Sequence, residues 1–377
     1  MVSVSSIHAT TAMPLESKRF KRGKSACVAA SLRELKMNMS PLEIAGNTIA
    51  PGKTAELEIP VARLYTDTQI YIPVYVVRSK VEGPNVFVTA AIHGDELNGI
   101  EIVRRLINRK LKLSRGSLIA VPIVNIYGVL NQSRYLPDRR DLNRSFPGSA
   151  KSSLAGRVAN LLMQEVISKC AYGIDLHTGA IHRSNLPQIR ADLADPETLE
   201  MAKAFGVAAL LHSNTRDGSL RQAATEFGCK TLLYEAGEAL RFDEFSIRAG
   251  VSGVLNVLAH LGMIKKRKKK VPLDPCVTDQ SAWVRAPCSG IVRDLKKLGD
   301  IIKKNEVLAE IGDPTGAVLE RVVNPRSGII IGKQNIPLVQ EGDAMYHIAF
   351  YKEPGEVTEH MEQLHDVLLP DDESFMG

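Results

Sequence analysis

The chain has 377 residues, which suggests two or three domains with ample room for hydrophobic cores. Hydrophobic residues make up 44% and charged residues 24% of it, values typical of a soluble globular protein, and no apolar run is long enough to span a bilayer. The formal net charge is +6. The five cysteines are scattered without a CxxC pair, so the sequence indicates neither a disulfide framework nor a cysteine zinc site.

Residues 1–40 are predicted to form a flexible N-terminal extension. A basic patch at 18–22 is followed by an apolar stretch at 26–32, a combination that is found in secretion signals. The apolar stretch is short and begins unusually late for such a signal. We therefore expect a cytoplasmic protein, with a targeting signal as the alternative interpretation.

Residues 41–264 have the pattern of an α/β domain. Strand-like stretches occupy 55–80, the apolar run 86–91 suits a strand buried on both faces, and helical spacing follows over 97–107. Strands and helices then alternate, with strands predicted at 117–124, 172–176, 208–212 and 230–235 and helices at 154–168, 196–205, 219–227 and 245–261. This alternation predicts a largely parallel sheet flanked by helices, which binds ligands at the carboxyl ends of its strands.

A block of six basic residues at 265–270 opens a segment that runs to residue 280. Such a block suits either a nucleic-acid patch or a solvated linker between domains. Because no aromatic residues are interleaved for base stacking, we interpret 265–280 as a basic linker and expect no nucleic-acid partner. We expect no membrane partner either, and homo-oligomer formation is left open.

Residues 281–352, called the β module below, contain short β runs, many glycines and no convincing helix. An internal near-repeat relates 286–292 to 324–330 and 298–311 to 339–348. Two similar β halves predict a small pseudo-symmetric β-sandwich. The remaining residues, 353–377, are acidic, and we expect them to form a loose tail.

The sharpest local feature is His93-Gly94-Asp95-Glu96, which stands where a buried strand ends and a helix begins. A histidine and a glutamate three residues apart can face the same point, and both are zinc ligands. A single pair of this kind is common, however, and the alternative is that His93 merely caps a helix.

Two more strands end in histidine or acidic residues. Asp175 and His177 flank Leu176 and point to the same side of their strand, so Asp175 is placed to hold the second ring nitrogen of a metal-bound His177. Glu235 ends the strand at 230–235, where a buried and unpaired carboxylate would be costly. The alternatives are a hydrogen-bonded core histidine at position 177 and a surface salt bridge at position 235.

Two histidines and one glutamate leave a fourth zinc position for water, the pattern of hydrolytic rather than structural zinc. Zinc lowers the pKa of bound water to about 7 and polarises a carbonyl group. A carboxylate that is not a ligand must then take the water's proton and pass it to the leaving amine. Glu235 suits that role.

A fourth feature is the arginine-rich stretch at 134–147, which reads RYLPDRRDLNRSFP. Arginine is the natural partner of a substrate carboxylate or a developing oxyanion, through bidentate charge-assisted hydrogen bonds. The alternative is a solvated basic loop.

The order of these motifs is specific in combination. His-Gly-Asp-Glu, Asp-Leu-Asn-Arg-x-Phe, Asp-Leu-His and a strand-end glutamate together resemble the succinylglutamate desuccinylase/aspartoacylase family. The resemblance implies a zinc carboxypeptidase-like fold with a mixed, largely parallel sheet. It also implies that His93, Glu96 and His177 hold one zinc ion per chain and that Glu235 is the general base and acid.

The same resemblance implies roles in the arginine-rich stretch. Asn143 and Arg144 match substrate-binding residues, and Arg144 would hold a substrate carboxylate. Arg134 matches the arginine that stabilises the oxyanion, although its spacing to Asn143 is longer than in aspartoacylase, so Arg139 or Arg140 could take the role. Outside this stretch stand one weaker substrate-contact candidate, Arg221, and two histidines without motif support, His182 and His212.

The β module resembles a biotinyl/lipoyl-type barrel-sandwich hybrid. Carrier domains of this type present one lysine in the hairpin between their two halves. The matching stretch, 312–321, contains no lysine. We therefore predict that the module is neither biotinylated nor lipoylated and has a structural or gating role beside the zinc site; an independent appendage on the linker is the alternative.

The sequence thus predicts a zinc-dependent hydrolase that removes a succinyl, acetyl or aspartyl group from an N-acyl amino acid by promoted-water attack. A carboxypeptidase acting on short peptides would use the same catalytic residues. A non-catalytic ligand-binding protein with a vestigial site is the rival from another functional class.

Overall fold

A computed structural model of the chain describes residues 41–213, 217–265, 275–351 and 354–368. The expected N-terminal extension, the basic block beyond Lys265 and the end of the acidic tail lie outside the described residues. Within these ranges, none of the helices combines the length and the apolar character needed to cross a membrane.

Nineteen strands and seven α-helices make up the described part of the chain. The strands are β1 (Leu42–Ile44), β2 (Asn47–Ile49), β3 (Thr54–Arg63), β4 (Gln69–Arg78), β5 (Asn85–Ala90), β6 (Ser117–Val121), β7 (Tyr172–Gly179), β8 (Arg183–Ala191), β9 (Ala209–His212), β10 (Lys230–Glu238), β11 (Cys276–Thr278), β12 (Ser281–Arg285), β13 (Gly290–Asp294), β14 (Ile301–Ile302), β15 (Val307–Gly312), β16 (Val318–Val323), β17 (Gly328–Gln334), β18 (Leu338–Val339) and β19 (Ala344–Ala349). The helices are α1 (Asn98–Asn108), α2 (Ile126–Leu130), α3 (Leu154–Glu165), α4 (Pro196–Phe205), α5 (Leu220–Glu226), α6 (Glu244–His260) and α7 (Pro354–Leu368), with 3-10 turns at Leu142–Arg144 and Ile167–Lys169.

One sheet of thirteen strands runs through the described residues. Its central strands follow the order β6, β5, β7, β10 and are parallel neighbours. Strands β4 and β3 extend this centre with antiparallel pairing on one side, and β8 does so on the other. The predicted mixed sheet flanked by helices, with a C-terminal all-β region, is therefore confirmed, and its parallel pairing lies at the centre and between β8, β9 and β11.

Helices cover both faces of the central strands. Side chains of α1, α4 and α6 share one apolar core, and those of α3 and α5 share the core on the opposite face. In β5, Val86 and Val88 point into the first core and Phe87 into the second, and all three are fully buried. The prediction of a strand buried on both faces is confirmed, and such a strand fixes where the residues that follow it can lie.

Helix α4 shows how local sequence sets an element's bounds. The carboxylate of Asp195 accepts a hydrogen bond from the amide of Thr198 at 2.8 Å, and Pro196 occupies the first helical position. Gly206, with φ of +90°, ends the helix in the left-handed conformation that glycine adopts without a steric penalty. The helix spans 196–205, as the sequence predicts.

Strand β8 joins the β module to the catalytic sheet. Its residues 183–185 pair with β17, whereas its residues 188–191 pair with β9. A second sheet, in the order β16, β15, β13, β18, closes over the core of the module. Apolar residues fill the junction, among them Leu186, Leu211, Ile329, Ile331 and Tyr351. The module thus shares a sheet and an apolar cluster with the catalytic part, which an independently moving appendage would not.

The expectation of a loose acidic tail is wrong for 354–368, which form α7. Met361 and Leu364 are buried, and Leu368 packs against the same core as α6. These apolar residues recur at intervals of three and four, so one face of the helix is covered. The acidic composition of the segment concealed that periodicity.

Candidate metal centre and active site

The turn after β5 carries His93 and Glu96. Ala91 has a φ of +51°, and the amide of Glu96 donates to the carbonyl of His93 at 3.2 Å, which closes the turn. A Cβ at Gly94 would lie 1.9 Å from the backbone carbonyl carbon of Gly128 in α2. Only glycine permits this close approach, so packing against α2 holds the turn in place.

His93, Glu96 and His177 meet at the carboxyl ends of β5 and β7. The Nδ1 atoms of His93 and His177 lie 2.7 Å from Oε1 and Oε2 of Glu96, respectively. Candidate ligand atoms of the three residues all lie within 4.8 Å of one another, and all three side chains are buried. Two imidazoles and a carboxylate at this spacing could hold a metal ion.

A second carboxylate holds the outer nitrogen of each imidazole. Asp175 Oδ2 lies 2.8 Å from Nε2 of His177, and the Asp175 carboxylate is itself held by the hydroxyl of Thr89. Asp141 Oδ1 lies 3.1 Å from Nε2 of His93. Carboxylate partners of this kind fix the ring orientation and tautomer of metal-binding histidines.

The hydrogen-bond donors and acceptors of this cluster favour a cation bound between the two imidazoles and Glu96. A neutral imidazole donates one hydrogen bond, and Asp141 and Asp175 can only accept one when they are ionised. If each histidine donates from Nε2, both Nδ1 lone pairs face the acceptor oxygens of Glu96. A divalent cation among these three acceptors would remove the repulsion, so the residues present fit a metal ion such as zinc.

The carboxylates of the cluster are in the ionised form that this fit requires. Burial alone would lower the pKa of His93 and His177, but the surrounding carboxylates outweigh it and raise both. Burial alone would raise the pKa of Glu96 and Asp141, whereas the histidines, together with Arg134 beside Asp141, hold both below the ordinary range. Glu96, a candidate ligand, and Asp141, the partner of His93, therefore stay negative. The raised pKa of the two histidines means that protons compete with a metal ion for their rings.

Glu235 of β10 lies directly beside His177 of β7 in the parallel register, and both residues line the same cavity. The Glu235 carboxylate forms an ion pair with Arg190 of β8, with 2.7 Å between Nε and Oε2. Its side chain remains 21% exposed. A carboxylate outside the three-residue cluster and open to the cavity can exchange protons with a bound water.

Arg134 reaches the metal-binding cluster from the loop after α2. Its Nη1 atom lies 3.4 Å from Oε1 of Glu96, and its Nη2 atom lies 3.0 Å from Oδ2 of Asp141. Arg139 and Arg140 are exposed and do not line the cavity. Of the three arginine candidates for the oxyanion, the structure thus brings Arg134 to the cluster.

The three substrate-binding candidates also line the cavity. Asn143 is buried, and its side-chain oxygen accepts a hydrogen bond from the amide of Leu220 at 2.9 Å. Arg144 is exposed at the rim, and Arg221 is buried in the first turn of α5. Cationic groups therefore surround the opening above the cluster.

The cavity has a volume of about 640 Å³. One side consists of the cluster, Glu235 and three arginines, namely Arg134, Arg144 and Arg221. The other side includes residues of β8 and of the β module, namely Arg183, Asn185, Arg190, Trp283, Arg285, Asp343 and Ala344. A space of this size suits a small molecule.

Sequence reasoning missed three residues of this site. Asp141 lies within the arginine-rich stretch, yet its contact with His93 depends on how the loop folds over the cluster. Arg190 and Trp283 belong to strands and carry no motif. The two histidines without motif support, His182 and His212, do not line the cavity.

The comparisons with known proteins point in one direction. Residues 82–261 match the succinylglutamate desuccinylase/aspartoacylase catalytic domain. The chain is 27% identical over 295 residues to an N-α-acetyl-L-2,4-diaminobutyric acid deacetylase of Halomonas elongata, covering 74% of this chain and 86% of the relative.

Solved structures with similar folds agree. A succinylglutamate desuccinylase/aspartoacylase from Rhodobacter sphaeroides superposes with a TM-score of 0.70 and 25% identity, covering 79% of this chain and 95% of that one. The product-bound ectoine utilization protein EutE from Ruegeria pomeroyi gives a TM-score of 0.73 at 22% identity, covering 83% and 99%, and supports the fold alone. The matched residues contain the whole His–Glu–His cluster and Glu235, and over this range the chain resembles the succinylglutamate desuccinylase/aspartoacylase catalytic domain.

Proposed function

We propose that this protein is a zinc-dependent amidohydrolase that removes the acyl group from an N-acyl amino acid. One observation carries the proposal. The buried His93–Glu96–His177 cluster and the carboxylate of Glu235, which is not part of the cluster, line the same cavity. The deacetylase relative from Halomonas elongata acts, by its name, on an N-acetylated amino acid. Acetyl, succinyl and aspartyl groups are the acyl classes that we propose to test.

In the proposed reaction, His93, Glu96 and His177 hold one zinc ion, which when bound acidifies a water molecule and polarises the scissile carbonyl group. Glu235 takes the proton of the attacking water at its carboxylate and later returns it to the leaving nitrogen. Arg134 donates hydrogen bonds to the oxygen on which negative charge develops.

Asn143, Arg144 and Arg221 bind and orient the substrate in this proposal. The rim position of Arg144 suits a substrate carboxylate, because guanidinium and carboxylate form bidentate, charge-assisted hydrogen bonds. Asp141 and Asp175 keep the two histidines in the orientation that binding of the metal requires. We also propose that the β module, 281–352, limits the length of substrate that enters, since it forms part of the cavity wall.

The test is a panel of N-acetyl, N-succinyl and N-aspartyl amino acids assayed beside short peptides, with metal analysis of the same preparation. We expect zinc near one equivalent per chain and turnover of at least one N-acyl amino acid. Preferred cleavage of peptides would favour a carboxypeptidase. Binding without turnover of any panel member in zinc-loaded protein would favour a ligand-binding protein.

A further inference from the structure

Arg190 lies between Glu235 and the β module. On one side its Nε atom is 2.7 Å from Oε2 of Glu235, and on the other its Nη2 atom is 3.4 Å from Nδ1 of His347. Arginine has hydrogen-bond donors only, so Nδ1 of His347 accepts this bond. The guanidinium group therefore connects a carboxylate of the catalytic sheet to a histidine of the module.

His347 is held firmly within the β module. It lies in β19, is 4% exposed, and stacks on Trp283 with ring centroids 4.7 Å apart and planes 8° from parallel. Its Nε2 atom lies 3.0 Å from the hydroxyl of Ser281. Because Nδ1 accepts from Arg190, the hydrogen of the neutral ring is on Nε2 and is donated to Ser281.

The backbone is built to bring these groups together. Strand β17 passes between β8 and β19, and a Cβ at Gly332 would lie 2.7 Å from Oδ1 of Asn185 and 3.1 Å from Cβ of His347. A larger residue at 332 would push β19 away from β8 and lengthen the contact between Arg190 and His347. The contact thus depends on the docking of the module.

The contact between Arg190 and Glu235 is an ion pair and not a directed hydrogen bond. Nε lies 2.7 Å from Oε2, but the N–H does not point at that oxygen. A guanidinium group held from behind by His347 places a fixed positive charge beside the carboxylate, which favours one position of Glu235 at the cavity wall. Such preorganisation contributes to catalysis because a misplacement of a reacting group by about 1 Å can cost about 100-fold.

We propose that Arg190 and His347 are positioning residues for Glu235, so that the β module orients the catalytic base in addition to bordering the cavity. The inference rests on the proposed role of Glu235. It concerns orientation of the base, and neither residue is assigned to substrate binding.

The first experiment replaces Arg190 in the full-length, zinc-loaded protein. Arg190→Gln should lower kcat about 10- to 100-fold, the loss typical when a partner that orients a functional side chain is removed, with KM within about threefold and zinc content unchanged. Arg190→Lys should recover part of kcat, and added guanidinium should partly rescue Arg190→Ala. Arg157→Gln, an exposed arginine on α3, is the matched control.

The second experiment separates the ring nitrogens of His347 from its packing. His347→Phe keeps a ring on Trp283 but removes the acceptor for Arg190, and we expect kcat to fall severalfold. His347→Asn offers an amide oxygen near the position of Nδ1 and should stay closer to the wild type. In the Arg190→Gln protein, adding His347→Phe should not lower kcat further, because both substitutions break the same contact between Arg190 and His347.

A third measurement does not depend on turnover. In protein labelled with ¹⁵N-histidine, the His347 resonances, assigned by their loss in His347→Asn, should indicate a neutral ring protonated at Nε2, and Nδ1 should shift in Arg190→Gln. The inference is overturned if Arg190→Gln raises KM with kcat unchanged. It is also overturned if His347→Phe lowers kcat by the same factor in the Arg190→Gln protein as in the wild type. A fully active Glu235→Gln would instead overturn the proposed function itself.

Discussion

The two sides of the cavity are built differently. On the catalytic side, buried side chains project from the ends of parallel strands, and the histidines and carboxylates of the cluster bond to one another. On the module side, Trp283 and Arg285 stand on β12, an edge strand that pairs only with β19 in the described part of the sheet. On the catalytic side, the residue types are constrained by metal binding and proton transfer. On the module side, the side chains of the edge strand β12 can change without disturbing the cluster. We therefore expect substitutions in the metal-binding cluster and at Glu235 to lower turnover strongly, and substitutions on β12 to alter selectivity.

The largest effect should follow from His177→Ala. This variant lacks one of the three metal-binding side chains, and Asp175 and Glu96 lose their contacts with the imidazole of His177. It should therefore bind no zinc and show no measurable turnover. Elemental analysis and activity assays check this, with His212→Ala as control because His212 does not line the cavity. Full zinc content and activity in His177→Ala would mean that the metal site is misassigned.

Glu235→Gln should come next. The substitution keeps the size of the side chain but removes its basicity, so turnover should fall about 10²- to 10⁴-fold. Zinc content and substrate affinity should be retained, since Glu235 lies outside the metal-binding cluster. Glu226→Gln makes the same chemical change at an exposed position of α5 and should behave as the wild type. Near-normal turnover would exclude Glu235 as the base.

Arg144→Lys should chiefly affect binding. Lysine cannot form the bidentate pair, so KM for substrates with a free carboxylate should rise about tenfold, since hydrogen bonds to charged groups are worth roughly 1.5–3 kcal/mol. The change in kcat should be small. Arg140→Lys, on the same loop but exposed outside the cavity, is the control. An unchanged KM would remove Arg144 from the substrate site.

Arg285→Ala should give the smallest effect and tests the module side. Exposed charges contribute at most about 1 kcal/mol, so we expect only a severalfold change in the preference for small N-acyl amino acids over short peptides. The kcat for the smallest substrate should not change. Arg293→Ala, on the second sheet of the module, serves as control. A large loss of kcat in Arg285→Ala would show that β12 affects the chemical step and not only selectivity.

The same contrast explains what could be predicted from sequence. Strand ends in a parallel sheet converge, so the sequence alone predicts that residues after successive apolar runs, such as Glu96, His177 and Glu235, lie close together. The bounds of α4 were predictable because an aspartate cap, a proline and a glycine encode them locally. In both cases the necessary information lies within a few residues.

The unpredicted features depend on contacts between distant parts of the chain. The pairing of β8 with β17 joins segments about 150 residues apart, and no local motif encodes it. In the sequence, nothing distinguishes Arg190 from other arginines in strands. Its role is suggested only by its contacts with Glu235 and His347 in the fold. For the tail, the acidic composition masked the regular spacing of Met361, Leu364 and Leu368.

Trp283 is the only tryptophan in the chain, and it lines the cavity. Its indole stacks on His347, and the guanidinium carbon of Arg183 lies 5.3 Å from the ring centroid. Indole fluorescence responds to the polarity and charge around the ring, so a ligand that enters the cavity should change the emission of the whole protein. Because all tryptophan emission comes from this one position, the affinity of unlabelled substrates for the inactive Glu235→Gln protein can be read from a simple optical titration. The protein thus contains its own probe for identifying its substrate.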